Sequence, residues 1–243
     1  MELFLFLDFD GTLTPLTPSP SSAVLGREAR ETLARLSRKP NVSIAIISGR
    51  ALHDVKAKAG VPRIIYAGSH GFDIEGCGIK FSVPIPRGTK KLLSAIEKEL
   101  HARFAGSFGV LIEHKGSSLT FHYRGVKPSG RQTVKRALLK YIRPYIRSGK
   151  VQLHRGKEVF EIGAPVLWHK GMAVRYLLSK CKSRAVLPVY FGDDVNDIAA
   201  FKELRKTGIT VSVGKKRMPS AQMNVRSPRE VLAVLKQIEQ MSW

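Results

Sequence analysis

Five large apolar residues in a row, Leu3 to Leu7, stop abruptly at Asp8-Phe9-Asp10-Gly11. Successive side chains of a strand point to opposite faces, so a strand that is apolar at every position must be covered on both. That requires a sheet sandwiched between helices, the arrangement of a parallel α/β fold. The pattern repeats along the first third of the chain. Residues 26–38 read as a helix with Ala29, Leu33 and Leu36 on its inward stripe, Val42–Ile47 as a second buried strand, Leu52–Ala59 as a helix closed by Gly60, and Ile64–Ala67 as a third strand. Loop signals fall at Pro15–Pro20, and Gly71–Pro84, with Gly76 and Gly78, reads as a hairpin or irregular edge. The same alternation returns late: a helix from Lys170 to Leu178, a strand at Ala185–Phe191, a helix at Ile198–Arg205, a strand at Ile209–Val213, and a last helix opened by Ser227-Pro228.

Between the two stretches the pattern changes. A helix (Lys90–Phe104), strands at Val110–His114 and Ser118–Tyr123, a helix over Lys127–Arg147, and strands near Val151–His154 and Val159–Ile162 make a small α+β module. Pro84 and Pro86 mark the junction. The expected architecture is a doubly wound, Rossmann-like α/β core over residues 1–85 and 166–243, interrupted by an inserted α+β domain over 86–165. A hydrophobic content of 43 % supplies a core and excludes general disorder. No stretch approaches the roughly 18–20 apolar residues of a membrane span, and no secretory h-region is visible. Cys77 and Cys181 have no CxxC partner, so neither a disulfide framework nor a zinc site is implied. The expectation is a soluble, cytoplasmic protein.

Charge is distributed unevenly. The chain holds 41 Lys and Arg against 19 Asp and Glu, a net charge of +22, and residues 86–165 alone carry 17 basic residues, five Glu and no Asp. The densest patch, Lys127, Arg131, Lys135, Arg136, Lys140, Arg143 and Arg147, has no acid within it, and Val134, Leu138, Tyr141, Ile142 and Tyr145 recur beside it at helical spacing. Pro144 suggests a kink or a last turn. A surface for nucleic acid or another polyanion and a merely solvated basic face both fit, the second being the plainer reading. On that reading most of the excess charge describes the surface rather than the activity.

Three core strands end in polar clusters, where open parallel sheets place their ligands. Asp8 and Asp10, two residues apart at a strand end, reach one pocket only if the chain turns at Gly11. Two such acids repel unless a cation lies between them, and Mg²⁺, which takes hard oxygen ligands and keeps open positions, suits them. Ser48-Gly49-Arg50 offers a hydroxyl and backbone N–H groups to a phosphate. Gly192-Asp193-Asp194-Val195-Asn196-Asp197 puts three acids after a buried strand, which is costly unless they bind a metal or a hydrogen-bond network. Lys170-Gly171 opens the helix before that strand and can offset phosphate charge.

The order Asp-x-Asp, Ser, Lys, Asp-Asp resembles the haloacid dehalogenase superfamily of phosphatases at all four of its motifs. Within it, Phe6-Leu7-Asp8-Phe9-Asp10-Gly11-Thr12-Leu13 followed by Pro15, Ser48-Gly49-Arg50, Gly68-Ser69-His70-Gly71, Ile112-Glu113-His114-Lys115, His122-Tyr123-Arg124, Gly156-Lys157, Glu161, Trp168-His169-Lys170-Gly171 and Ser227-Pro228-Arg229-Glu230-Val231 look like the trehalose-6-phosphate phosphatase family. The resemblance implies Mg²⁺-dependent hydrolysis of a sugar phosphate. Asp8 would be the nucleophile and Asp10 the acid and base. Ser48 and Lys170 would hold the phosphoryl group, beside Gly49 and Arg50. The metal would lie between the Asp8 side chain, the Asp10 carbonyl and Asp193, with Asp194 and Asp197 orienting Lys170 or metal waters. The inserted domain would be a cap, with Glu113, Lys115, Arg124 and Glu161 contacting sugar hydroxyls. His70 and His122 read as structural. Asn196 and Ile198 stand where that family usually has Thr and Glu, and Gly163-Ala164 where a basic residue and Pro are usual. These changes spare the metal chemistry and leave sucrose phosphate or mannosyl-3-phosphoglycerate open as substrates. A retired phosphatase scaffold that binds nucleic acid is disfavoured, because Asp8, Asp10, Ser48, Lys170 and Asp193 are all present.

Overall fold

The computed structural model describes residues 1–17, 22–156, 158–183 and 185–241. Pro18–Pro20 of the expected loop, and Lys157 of the Gly156-Lys157 pair, lie outside them. The chain forms two compact units, Met1–Ser82 with Trp168–Trp243, and Val83–Leu167.

The first unit is built on an eight-stranded sheet. Its strands are β1 (Glu2–Leu7), β2 (Val42–Ile47), β3 (Ile65–Gly68), β4 (Asp73–Gly76), β5 (Ile79–Ser82), β10 (Val186–Gly192), β11 (Ile209–Val213) and β12 (Met223–Val225), ordered β12-β11-β10-β1-β2-β3-β4-β5. Pairing is parallel from β12 to β3, and β3-β4-β5 is antiparallel, so the glycine-rich segment is a hairpin at one edge. The apolar run of β1 is covered on both faces. Leu3, Leu5 and Leu7 join Leu33 and Leu36 of α1 (Arg27–Leu36) and Val231 and Leu235 of α7 (Pro228–Gln240). Phe4 and Phe6 join Val174 and Leu177 of α5 (Lys170–Leu178) and Phe201 and Leu204 of α6 (Ile198–Leu204). This is the doubly wound architecture expected. From β1 the chain moves outward to β2 and β3, and later returns on the other side to β10, β11 and β12. The strand order therefore reverses between β1 and β10, the position where such sheets bind ligands. Leu7 lies level with Phe191 and Ile46, so Asp8 leaves the sheet beside Gly192 and near Ser48.

The second unit is a four-stranded antiparallel sheet ordered β6-β7-β9-β8, from β6 (Leu111–His114), β7 (Ser118–His122), β8 (Gln152–Gly156) and β9 (Val159–Gly163). Leu119, Phe121, Phe160 and Ile162 pack against Leu93, Ile96 and Leu100 of α3 (Thr89–Phe104) and Val134, Leu138 and Ile142 of α4 (Pro128–Arg147). Pro144 sits in the last turn of α4, which runs on to Arg147. Among the described residues, no helix is long and apolar enough to cross a membrane.

Candidate active site

The sharp exit from β1 is built from backbone hydrogen bonds: the Asp8 N–H donates to the Phe191 carbonyl (2.9 Å), Leu13 to Phe9 (2.9 Å) and Gly11 to Thr14 (2.7 Å). Gly11 has φ +86°, and a Cβ there would lie 2.0 Å from Asp193 Oδ2, so only glycine lets the Asp193 carboxylate close over the turn. Asp8, Asp193 and Asp197 each bring a carboxylate oxygen within 4.8 Å of the others.

Lys170 holds this cluster together. Its Nζ donates to Asp8 Oδ1 (2.6 Å) and Asp197 Oδ1 (2.7 Å), all three side chains being buried. Burial alone would lower the Lys170 ammonium, but Asp197 and Asp8 outweigh it and hold it above its ordinary value. Burial drives the Asp8 carboxyl well above the carboxylate range; Lys170 opposes that shift, while Asp197 and Asp193 add to it. Burial is also the main cause that lifts Asp193 to about 6. Asp193 Oδ1 is buried with no hydrogen-bond partner. An orphaned carboxylate oxygen next to two further acids, with one lysine between two of them, is a donor set short of positive charge, and it fits a hard divalent cation.

Asp197 has its oxygens engaged: Oδ1 also accepts from the Tyr190 hydroxyl (2.7 Å), and Oδ2 from the Asp194 N–H (2.9 Å). It also accepts from Lys170 Nζ through Oδ1. Asp194 accepts from the Asn196 side-chain amide at 2.9 Å and closes a reciprocal cap with Asp197. Burial, then Asp197, raises the Tyr190 phenol well above its ordinary range. Nothing in the sequence singles out Tyr190, which reads as one more apolar position of a buried strand.

Ser48 is buried, and its Oγ accepts from the Arg50 N–H at 3.1 Å. The Arg50 guanidinium closes on both oxygens of Asp10 (2.7 and 2.6 Å) and on Asp54 Oδ2 (2.8 Å). Two residues read separately, an acid–base and a substrate contact, are thus partners in one ion pair. Nothing local links Asp10 to Arg50, which lies 40 residues away in sequence, whereas Asp54 is only four residues from Arg50. A Cβ on Gly49 would lie 2.7 Å from His70 Cε1. Ser69 and His70 both take left-handed backbone (φ +49° and +59°), their N–H groups donating to the Arg50 and Ser48 carbonyls. Such conformations cost about 1–3 kcal/mol each and persist where surroundings impose them. His70 is therefore built into the wall of this turn.

In the second unit, Glu113 and Glu161 both register with Thr120, forming one row across β6, β7 and β9. Glu113 contacts His122 (3.4 Å) and Lys115 (3.9 Å), and Glu161 accepts from Ser118 Oγ (2.8 Å). Arg124 lies beyond β7, paired with Glu158 at 3.0 Å, outside that row.

Residues 6–231 match the profile of the trehalose-phosphatase family. Trehalose-phosphate phosphatase B of Arabidopsis thaliana is 31 % identical over 256 residues, covering 98 % of this chain and 66 % of that protein. Trehalose 6-phosphate phosphatase RA3 of Zea mays is 29 % identical, with 98 % and 70 % covered. The chain thus spans about two thirds of the length of these relatives. Among solved structures, a trehalose-6-phosphate phosphatase related protein superposes with a TM-score of 0.80 at 21 % identity, covering 97 % of this chain and 96 % of that one. The C-terminal domain of a trehalose-6-phosphate phosphatase from C. albicans follows with 0.79 at 24 %, covering 99 % and 92 %. At these identities the superpositions establish the fold.

Proposed function

The chain belongs to the trehalose-phosphatase family, and from that premise we propose that it is a phosphoric monoester hydrolase that releases phosphate from trehalose 6-phosphate. The observation that carries the reading is Lys170 bridging buried Asp8 and Asp197 beside the orphaned Asp193 oxygen, at the reversal of strand order.

In this reading an Asp8 oxygen attacks phosphorus, the bond to the sugar oxygen breaks, and an aspartyl phosphate forms. Lys170 fixes the direction of the attacking Asp8 carboxylate through its Oδ1. The Ser48 oxygen already accepts from Arg50, so its hydroxyl hydrogen is left for a phosphoryl oxygen. Asp10, once freed from Arg50 and protonated from solvent, gives that proton to the departing sugar oxygen, then takes one from the water that cleaves the aspartyl phosphate. Both its oxygens are held by Arg50, so Asp10 must be released first, and Asp54 gives Arg50 a second carboxylate to rest on. The Asp8 side chain, the Asp10 carbonyl and Asp193 would hold Mg²⁺. When bound, it supplies positive charge that offsets repulsion between a carboxylate and a phosphate. Glu113, Lys115, Arg124 and Glu161 recognise sugar hydroxyls through charge-assisted hydrogen bonds. A charged, water-soluble substrate of this kind suits a soluble enzyme of the cytoplasm.

Phosphate release from a panel of trehalose 6-phosphate, sucrose phosphate, mannosyl-3-phosphoglycerate and p-nitrophenyl phosphate tests this with Mg²⁺ and with EDTA. Trehalose 6-phosphate is expected to be hydrolysed fastest, chelation to stop turnover, and Asp8→Asn to lower it about 10³-fold or more. Faster hydrolysis of another sugar phosphate overturns the substrate, while full activity of Asp8→Asn or in EDTA overturns the mechanism.

A further inference from the structure

The outward face of α4 has no part in the reaction above, and its charge is uncompensated. At 100° per residue, Arg136, Lys140, Arg143 and Arg147 fall within about 60° of one another, opposite the buried Val134, Leu138 and Ile142. All four are exposed. The second unit has only five acids, all glutamates, and each is occupied elsewhere. Glu97 meets His114, Glu99 meets Arg103, Glu113 meets Lys115 and His122, Glu158 meets Arg124 and Arg131, and Glu161 accepts from Ser118. Among the described residues none of the four stripe cations makes an ion pair. Like charges at this spacing repel one another and destabilise the helix that carries them. Here they are left facing water with no counter-charge.

We propose that this stripe is a docking surface for the phosphate backbone of a nucleic-acid duplex. From Arg136 to Arg147 it runs about 17 Å along the helix axis. Along the duplex axis one strand rises about 3.4 Å per phosphate, so the stripe is as long as about five phosphate rises and reaches several phosphates at once. Three of the four are arginines, whose planar fork pairs with phosphate in two hydrogen bonds. An anionic membrane is the poorer partner, because a helix lying in a membrane interface must offer it an apolar face, and that of α4 is committed to its own core. The contact reads charge and spacing, so it is independent of base sequence.

The test is fluorescence anisotropy of the full chain with a mixed-sequence duplex of about 25 base pairs between 50 and 200 mM NaCl, with phosphatidylserine vesicles in parallel. Four phosphate contacts predict a log–log salt slope of about −3.6. Arg136→Glu with Arg143→Glu should weaken binding at least about tenfold at low salt and reduce the slope. The exposed pair Arg205→Glu with Lys206→Glu, which changes the net charge equally on the other unit, should cost less than about threefold. If the reversed α4 does not melt like the parent, Lys140→Gln with Arg147→Gln takes its place. No duplex binding at 50 mM, equal loss in the control pair, or preferential binding of the vesicles overturns the proposal.

Discussion

At the scale of single residues, the site depends on where one proton-rich group stands among acids that repel one another. Lys170 is the only cation in hydrogen-bond contact with both Asp8 and Asp197 among the described residues. Lys170→Met keeps the apolar stem and removes the charge, so two buried carboxylates lose their counter-ion. Breaking a buried pair in this way costs about 3–5 kcal/mol. The expected result is a protein with a clearly lowered melting temperature and turnover reduced at least about 10²-fold, measured by thermal melts and phosphate release. A variant that melts normally and keeps a tenth of its activity would show that Lys170 is dispensable. Asp8 and Lys170 stand out in the sequence because acids and a lysine at strand and helix ends are chemically conspicuous. Tyr190 and Asp54 do not, because their partners are made only when β10 and α2 (Leu52–Ala59) are in place. The same holds for the Arg50 clamp on Asp10, whose two halves are each plain in the sequence but whose pairing is not.

At the scale of elements, legibility follows burial. Strands β1, β2 and β10 are largely apolar because both faces are covered, β11 alternates with Thr210 and Ser212 buried and hydrogen-bonded, and all four fall within a residue of their expected limits. Strand β12 is three residues, Met-Asn-Val, mostly exposed at the sheet edge, and so carries no burial pattern to read. The left-handed backbone of Ser69 and His70 is equally hidden, since it is imposed by hydrogen bonds to the Arg50 and Ser48 carbonyls rather than by residue type. Helix α4 was legible because its apolar and basic stripes both keep helical period. Its apolar stripe attaches it, and the fully buried Leu138 is central there. Leu138→Ala should therefore cost about 2–5 kcal/mol, read as a lowered denaturation midpoint with an unchanged m-value. A change below about 1 kcal/mol would mean that the stripe does not anchor the helix.

At the scale of the whole molecule, a net charge of +22 conceals two opposite situations. The second unit has more cations than its five glutamates can pair, whereas the catalytic end of the first has more buried carboxylate than Lys170 neutralises. That local excess of negative charge makes stability depend on pH and metal together. Asp193 is raised from its ordinary 3.8 to about 6, and Asp8 is also raised, both chiefly by burial. The folded protein thus holds these protons more tightly than the unfolded chain, so in EDTA the ionisation of Asp193 destabilises it as pH rises from about 4 to about 6, and that of Asp8 acts in the same direction. A bound cation needs the carboxylates ionised, and it stabilises only the folded state. The gain in melting temperature on adding Mg²⁺ should accordingly be near zero at pH 4, grow through that window, and level off above about pH 6 for the part set by Asp193. Differential scanning calorimetry across pH 4–8, with Mg²⁺ and with EDTA, reads this without any substrate. A gain that is flat across the range would separate the metal from Asp8 and Asp193, whereas a gain that grows as described would tie the acidic cluster to the cation independently of which sugar phosphate is hydrolysed.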